Sequence, residues 1–126
     1  MRLLLDTHAF LWWLSDDRKL SIAARDAIRD PHVIVHVSAA SIWEIAIKAK
    51  LGRLGVRDGD LAAEIEANGF AELAITSRHA QSAGALPRHH DDPFDRMLIA
   101  QAQMEDLVVV THDRRFRCYD VQLLAT

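Results

Sequence analysis

Short strand-forming runs alternate with helix-forming segments along this chain, and this alternation constrains its fold more than any other feature. The run at residues 107–110 is entirely apolar, which is typical of a strand buried on both faces of a parallel sheet. Parallel strands need long crossover connections, and the intervening helices would supply them in the right-handed sense. The pattern therefore predicts an α/β fold of three layers, α/β/α, around a mostly parallel central sheet.

The individual elements are predicted from apolar spacing, β-branched residues and capping signals. Ser21 and Asp60 are expected to cap helices, and Gly69 is expected to follow a helix in the left-handed conformation. Residues 86–93 have the composition of a loop. Strands are predicted at residues 2–5, 33–37, 72–75, 107–110 and 121–124, and helices at residues 9–14, 22–29, 38–50 or 41–50, 61–67, 77–83 and 94–104.

The third predicted helix has apolar residues at spacings of three and four. Its buried stripe is expected to consist of Ile42, Ile45, Ala46 and Ala49. Trp43 is expected to fill core space as well, because large aromatic side chains usually do so. The helix is therefore predicted to pack on the sheet through apolar residues.

Length and composition limit the class of protein. With 126 residues, half of them hydrophobic and 26% charged, the chain is expected to form a single domain over residues 1–126. Cys118 is the only cysteine, which excludes an intramolecular disulfide and a cysteine-based zinc site. The longest apolar runs are far shorter than the ~18 residues of a membrane span, and the first residues lack an export signal. We therefore expect a cytoplasmic protein with no membrane contact.

The charge balance excludes a protein that binds polyanions through overall positive charge, because the net charge is −3. Local positive charge keeps nucleic acid open as a partner, although each cluster alone is explained as a solvated face. The two clusters consist of Lys48, Lys50, Arg53 and Arg57, and of Arg114, Arg115 and Arg117.

Acidic residues lie where strands are predicted to end. Asp6 directly follows the first strand, Glu44 lies early in the helix after the second, and Asp113 closely follows the strand at residues 107–110. Asp95 lies in the first turn of the helix that leads into that strand. Because the carboxyl ends of parallel strands meet at one edge of the sheet, these acids are expected to converge.

Each acid alone also has a structural explanation. Asp6 is a suitable helix cap, Ser41 and Glu44 match a capping box, Asp95 suits the helix dipole and Asp113 suits a turn. Together, however, carboxylates in a low-dielectric cleft repel one another unless a cation holds them. Oxygen ligands at an incomplete site suit Mg²⁺ or Mn²⁺, which also accept phosphate oxygens. The set therefore predicts a metal site for phosphate chemistry.

Several neighbours of these acids have less defined roles. Thr7 and Thr111 are predicted to support the site. Arg96 either contacts phosphate or tethers the loop by pairing with Asp91 or Asp92. The remaining candidates match no zinc motif and stay unassigned: His89, His90 and His112.

Four stretches of sequence, spread over nearly the whole chain, carry a family resemblance. They are LLLDTH at residues 3–8, SIWEIAIK at residues 41–48, DPFDRMLIAQA at residues 92–102 and VTHD at residues 110–113. In this order they resemble the PIN-domain ribonucleases, and specifically the VapC-type toxins of bacterial toxin–antitoxin pairs. The middle and late stretches are the specific ones.

The resemblance implies an activity and a set of site residues. It places the four family acids on Asp6, Glu44, Asp95 and Asp113, with Asp6 and Asp95 as the main ligands of Mg²⁺ or Mn²⁺; Asp92 is the competitor for the third position. The implied reaction is hydrolysis of single-stranded or looped RNA, leaving a 5′-phosphate and a 3′-hydroxyl. The implied partners are the RNA substrate, a cognate antitoxin and a second copy of the chain in a homodimer.

Alternatives within and outside this family differ in testable ways. A nuclease that processes RNA without a toxic role, or a binding module that has lost catalysis, would share the fold. A phosphorelay receiver would have a second acid after Asp6, and a dehalogenase-like phosphatase would have an aspartate at the position of His8. Trp12 and Trp13 point ~100° apart on a helix, which leaves one of them available to a protein partner.

Overall fold

The computed structural model describes residues 1–52 and 59–126, and in this part of the chain five parallel strands form one sheet between helices. The predicted α/β fold is confirmed, with every predicted strand and helix present within a few residues of its expected bounds. The strands are β1 Arg2–Leu5, β2 Ile34–Ser38, β3 Ala71–Leu73, β4 Val108–Thr111 and β5 Gln122–Ala125. The helices are α1 Thr7–Leu14, α2 Ile22–Arg29, α3 Ala39–Lys50, α4 Leu61–Ala67, α5 Ser77–Ala85 and α6 Pro93–Glu105, and an unpredicted 3₁₀ helix spans Arg114–Cys118.

The strand order, β3-β2-β1-β4-β5, puts β1 in the middle of the sheet. Leu4 lies in register with His36 of β2 and Val109 of β4, so both edges of β1 are paired. All pairs are parallel, and the carboxyl ends of the strands therefore share one edge of the sheet. Asp6 leaves β1 at that edge, where its backbone N–H donates to the carbonyl of Val110.

Alternate residues of β1 belong to the two hydrophobic layers. Leu3 and Leu5 pack in one core with Phe10 of α1, while Leu4 packs in the other with Leu98 of α6. The three leucines are completely buried. The sheet is thus covered on both faces, as the apolar strands predicted.

The predicted caps are largely confirmed. The side chains of Ser21 and Asp60 accept backbone N–H groups at the starts of α2 and α4, and Gly69 has a φ of 74° after α4. Arg53 and Arg57 of the first basic cluster lie outside the described residues. Among the described residues, no helix has the length and apolar content needed to cross a membrane.

The start of α3 corrects one prediction. Its N-cap is Ser38, whose hydroxyl accepts from the backbone N–H of Ala40. Ser41 therefore lies inside the helix, and the capping box between Ser41 and Glu44 is wrong. Both side chains are buried, and they meet Thr7 of α1.

The predicted apolar stripe of α3 is also only partly correct. Ile45 is fully buried, but Ala46 and Ala49 are exposed. Trp43 was expected in the core, and its exposed fraction is 62%; its ring packs edge-on against Phe94 at the surface. The helix is rotated so that its buried face is mixed, with Ser41 and Glu44 buried beside Ala40 and Ile45.

Candidate active site

A cleft of about 670 Å³ lies at the carboxyl edge of the sheet, where β1 and β4 end. The structure brings together in it all four acids that the sequence singled out, together with the competing aspartate. The acidic side chains that line the cleft are Asp6, Glu44, Asp92, Asp95 and Asp113. The predicted convergence of acids from four separate segments of the chain is therefore present in the structure.

Asp6 is held rigidly between β1 and α1. It is the N-cap of α1, and its Oδ1 accepts the backbone N–H of Ala9 at 2.8 Å. Its Oδ2 accepts the hydroxyl of Thr111, at the end of β4, at 2.6 Å. The side chain is nearly buried, with 5% exposed, and this burial raises its pKa above the ordinary value. The structural reading of Asp6 as a cap is thus correct, and it is compatible with a place in the cleft.

Glu44 reaches the cleft from the buried face of α3, with 4% of its surface exposed. The hydroxyl of Thr7 donates to its Oε1 at 2.6 Å, and Nζ of Lys48, one helical turn further on, donates to its Oε2. Thr7 and Thr111 therefore fix the orientation of two carboxylates, in agreement with the supporting role predicted for them.

Asp95 lies in an environment that disfavours its charged form. Asp92 caps α6 by accepting the backbone N–H groups of Phe94 and Asp95, which places the Asp95 side chain in the first turn beside the other acids. Burial raises the pKa of Asp95 to about 8, and the charges of Asp92, Glu44, Asp6 and Asp113 act in the same direction. Burial, together with these negative charges, thus disfavours the ionised form of Asp95.

Asp113 lies in a different environment. It caps the 3₁₀ helix, and both of its carboxylate oxygens accept hydrogen bonds from the side chain of Arg115. These bonds lower the pKa of Asp113 below its ordinary value. Arg115 is therefore engaged with an acid of the cleft, whereas Arg114 is an exposed residue that lines the cleft.

The side chains of this cleft fit a hard divalent cation. Ligand atoms of His90, Asp95 and Asp113 all lie within 4.8 Å of one another. Asp6 and Glu44 line the same cleft outside that group, and their charges add to the effect of burial on the pKa of Asp95. Carboxylate oxygens are the donors that Mg²⁺ and Mn²⁺ prefer. A bound cation would also offset the repulsion that makes Asp95 hold its proton.

Two neighbours that the sequence left open now have defined contacts. The guanidinium of Arg96 donates to backbone carbonyls of Ala83, Leu86, Pro87 and His90. It therefore tethers the loop before α6, but through carbonyls rather than through Asp91 or Asp92.

His90 is buried, and its Nε2 lies 2.8 Å from Oδ2 of Asp95. Sequence reasoning missed this contact because nothing in the spacing of His90 separates it from the exposed His89 beside it.

The two adjacent tryptophans occupy different places. Trp12 is partly buried and borders the cleft, where its ring lies near those of His8 and His112. Trp13 packs against Phe70 in the core, and its indole N–H donates to Asn68 at 3.0 Å. Of the pair, Trp12 is the one next to the candidate site.

Comparisons with known proteins point to one family. The family model described as the PIN domain matches residues 3–122. Ribonuclease VapC22 of Mycobacterium tuberculosis (strain ATCC 25618 / H37Rv) is 34% identical over 118 aligned positions, and the match covers 92% of this chain and 90% of that protein.

Solved structures share the fold at lower identity. VapBC2 from Rickettsia felis, bound to a promoter DNA fragment, has a TM-score of 0.69 at 10% identity and covers 99% of this chain and 98% of its own. FitAcB from Neisseria gonorrhoeae has a TM-score of 0.67 at 20% identity, and the match covers 97% of this chain and 96% of that one. A toxin–antitoxin complex from Klebsiella pneumoniae has a TM-score of 0.65 at 20% identity, and the match covers 97% of this chain and 95% of that one.

Proposed function

The chain belongs to the PIN-domain family, and on that premise we propose that it is an Mg²⁺- or Mn²⁺-dependent endoribonuclease that acts as the toxin of a toxin–antitoxin pair. The observation that carries the proposal is the single cleft lined by Asp6, Glu44, Asp95 and Asp113, in which the pKa of Asp95 is raised to about 8. Carboxylates that converge in this way repel one another and destabilise the folded state unless a cation binds among them. The similarity of this chain to a ribonuclease over most of its length supports RNA as the substrate.

In the proposed reaction, Asp6 and Asp95 would be the main ligands of the cation, with Glu44 and Asp113 completing the acidic site. When bound, the cation supplies the charge that offsets these carboxylates, lowers the pKa of water and stabilises charge on the phosphate. Water oxygen forms a bond to phosphorus while the bond from phosphorus to O3′ breaks. The proton lost by the water is balanced by one gained at O3′, which leaves a 5′-phosphate and a 3′-hydroxyl.

The other side chains of the cleft would position the substrate. Arg114 is exposed and lines the cleft, so it is available to a backbone phosphate. Asp113, held by Arg115, is suited to orient the attacking water. Thr7 and Thr111 keep the carboxylates of Glu44 and Asp6 fixed before substrate arrives, so no reorganisation is needed during the reaction.

A protein partner is the second part of the proposal. Solved relatives of the same fold include toxin–antitoxin complexes, and we propose a cognate antitoxin and a homodimer for this chain as well. Exposed apolar side chains lie at intervals of four on α3 and its C-cap, at Trp43, Ile47 and Leu51, and an apolar surface of this kind favours protein contact. We further propose that residues 1–126 act as one domain in the cytoplasm. Light scattering of the purified chain, alone and with the antitoxin, measures the assembly.

The decisive experiment compares the parent protein with Asp6→Asn. The parent is expected to cleave RNA only with Mg²⁺ or Mn²⁺, and Asp6→Asn is expected to lose more than ~100-fold in rate, because a charge at the cation site is removed with little change in volume. Asp91→Asn is the matched control, since Asp91 is exposed on the loop and pairs only loosely with Arg88. If Asp6→Asn cleaves at the parent rate, the assignment is wrong.

Two further measurements separate the remaining alternatives. A catalytically silent binding module would hold no Mn²⁺ in crystals soaked with it, whereas the proposal expects density between Asp6 and Asp95. A processing nuclease without a toxic role would cleave RNA but would not arrest growth when expressed without a partner. Mapping the cleaved ends in total RNA after induction identifies the substrate class.

A further inference from the structure

His90 is fixed by a ring contact and by hydrogen bonds on both its backbone N–H and its backbone carbonyl. It is buried, with 3% exposed, and its ring packs edge-on against Phe116. The hydroxyl of Tyr119 accepts the backbone N–H of His90 at 2.9 Å and donates to the carbonyl of Pro87 at 2.7 Å. Arg96 donates to the backbone carbonyl of His90 at 3.2 Å. The backbone on which the imidazole is mounted is therefore fixed.

The hydrogen bonds of the ring define its tautomer. The backbone N–H of Asp92 is a donor, and it lies 3.2 Å from Nδ1 of His90, so Nδ1 accepts and carries no hydrogen. The hydrogen of a neutral imidazole is then on Nε2. Nε2 lies 2.8 Å from Oδ2 of Asp95 and 3.5 Å from Oδ2 of Asp113, so His90 donates to Asp95.

We propose that His90 is a positioning residue that orients the Asp95 carboxylate for a divalent cation and does not itself bind the cation. The proposal rests on the proposed function only in taking Asp95 as a cation ligand. Within the part of the chain that the structure describes, His90 is the only group that hydrogen-bonds the Asp95 side chain. Carboxylate ligands are commonly fixed by such second partners, and losing one weakens metal binding.

The competing interpretation makes His90 a ligand, because its ligand atoms lie near those of Asp95 and Asp113. Ligation through Nε2 would move the hydrogen to Nδ1, where it would face the N–H of Asp92. Two donors would then oppose each other at 3.2 Å beside the buried ring of His90. The capping geometry of Asp92 therefore favours the donor role of His90.

The chain contains a matched control for this arrangement. His79 is also buried, its Nδ1 accepts the backbone N–H of Thr76 at 3.0 Å, and its Nε2 lies 3.1 Å from Oε1 of Glu105. The two histidines thus make the same kind of bridge from a backbone N–H to a carboxylate. Neither His79 nor Glu105 lines the acidic cleft.

The test uses two substitutions that each preserve half of the bridge. In His90→Gln, the side-chain amide places an N–H donor about where Nε2 lies. In His90→Asn, the amide places an acceptor about where Nδ1 lies, and the shorter side chain does not reach Asp95. Mn²⁺ affinity is measured by electron paramagnetic resonance on the folded variants, with thermal unfolding as the check of structure. We expect His90→Asn to bind Mn²⁺ ~10–100-fold more weakly than the parent, and His90→Gln to stay within about threefold of it. The same pair at His79 is expected to leave Mn²⁺ affinity unchanged.

An equal loss of Mn²⁺ affinity in His90→Gln and His90→Asn would overturn the positioning role, and so would an unchanged affinity in both variants. If both variants fail to fold, a second measurement on the parent protein tests the same proposal. Long-range ¹H–¹⁵N correlation spectra of the parent, with and without Mg²⁺, are expected to show hydrogen on Nε2 in both states. Transfer of that hydrogen to Nδ1 on addition of Mg²⁺ would identify His90 as a ligand and overturn the proposal.

The same samples separate failure of this inference from failure of the proposed function. A parent that binds Mn²⁺ with the expected His90 dependence but does not cleave RNA contradicts the proposed function alone. A parent that cleaves RNA but binds Mn²⁺ equally well in His90→Asn contradicts the positioning role alone. A parent that binds no Mn²⁺ contradicts both.

Discussion

Asp95 shows how the position of one carboxyl group changes its chemistry. Burial and four neighbouring acids raise its pKa to about 8 from an ordinary value of 3.8. In the unfolded chain the same group is solvated and titrates near its ordinary value. Between these two values the folded protein holds a proton that the unfolded chain has lost, and its stability must therefore depend on pH.

The sign of that dependence is a testable prediction. Because the folded state binds more protons between about pH 4 and pH 8, the free energy of unfolding of the metal-free protein is expected to fall as pH rises through this window. A single such group contributes up to about 1.4 kcal/mol per pH unit. Urea unfolding in EDTA at pH 5 and pH 8 measures the loss. Asp95→Asn is expected to show a smaller loss, since the titrating group is gone.

Other titrating groups are common to both proteins, so the difference between parent and Asp95→Asn isolates this residue. The lowered pKa of Asp113 acts in acid, below this window, and does not confuse the comparison. Asp6 has a raised pKa and adds to the loss in the same direction. Identical losses in the two proteins would show that Asp95 ionises freely in the folded state.

Single residues differ in how well sequence predicts their role. The positions of Asp6 and Asp113 follow from the ends of apolar strands, because chain topology brings those ends together. The role of His90 does not, because it depends on a backbone N–H of Asp92 and on a loop shape set by Tyr119. Contacts of this kind exist only after tertiary packing.

At the scale of elements, the connection between α5 and α6 depends on one side chain. Arg96 of α6 donates to five backbone carbonyls at the end of α5 and in the connection, those of Ala83, Gly84, Leu86, Pro87 and His90. We expect Arg96→Met to lower the free energy of unfolding by about 2–4 kcal/mol, because several carbonyls lose a charged donor. Arg96→Lys is expected to recover less than half of this, since an ammonium group cannot reproduce the planar fork.

Chemical denaturation measures these losses, with Arg78→Met as the control, because Arg78 is an exposed arginine of α5. The loop that Arg96 holds also carries His90, so Arg96→Met is expected to weaken Mn²⁺ binding as well. If Arg96→Met is as stable as Arg78→Met, the tether contributes nothing.

The rotation of α3 explains where the apolar pattern misled. Spacing predicted a buried stripe, but the helix must deliver Glu44 to the cleft and satisfy Ser41 and Thr7. Two polar residues, Ser41 and Glu44, therefore turn inward beside Ile45, and Trp43 turns outward. Hydrophobic periodicity identifies a helix, yet it does not reveal that an acidic cleft competes with the core for the buried face of that helix.

This rotation predicts an unusually small effect for a tryptophan substitution. Trp43→Ala is expected to lower the free energy of unfolding of the isolated chain by less than about 1 kcal/mol, because Trp43 is largely exposed. Phe10→Ala, in the fully buried core, is expected to cost about 3–5 kcal/mol. Chemical denaturation of dilute protein measures both. A loss for Trp43→Ala that matches the loss for Phe10→Ala would place Trp43 in the core after all.

At the scale of the whole molecule, the cleft is assembled from parts that are far apart in sequence. The hydrogen bond between Asp6 and Thr111 joins the first strand to the fourth across most of the chain. The acids meet only when β1, β4, α3 and α6 are all in place. The proposed cation binding would therefore be coupled to global folding, because a ligand that binds only the folded state stabilises it by mass action.

The size of that coupling gives the last prediction. A divalent cation at 100 times its Kd is expected to stabilise the parent by about 2.7 kcal/mol, a rise in Tm of roughly 10 °C for a domain of this size. Asp6→Asn is expected to gain much less, because one charge of the site is missing, whereas Asp91→Asn is expected to gain as much as the parent. At a fixed concentration of the cation, the stabilisation of the parent is also expected to increase from pH 6 to pH 8, since binding must displace the proton that Asp95 holds below pH 8. Scanning calorimetry with Mn²⁺ measures all three proteins, and equal gains in the parent and Asp6→Asn would mean that the cation binds somewhere other than the shared acidic cleft.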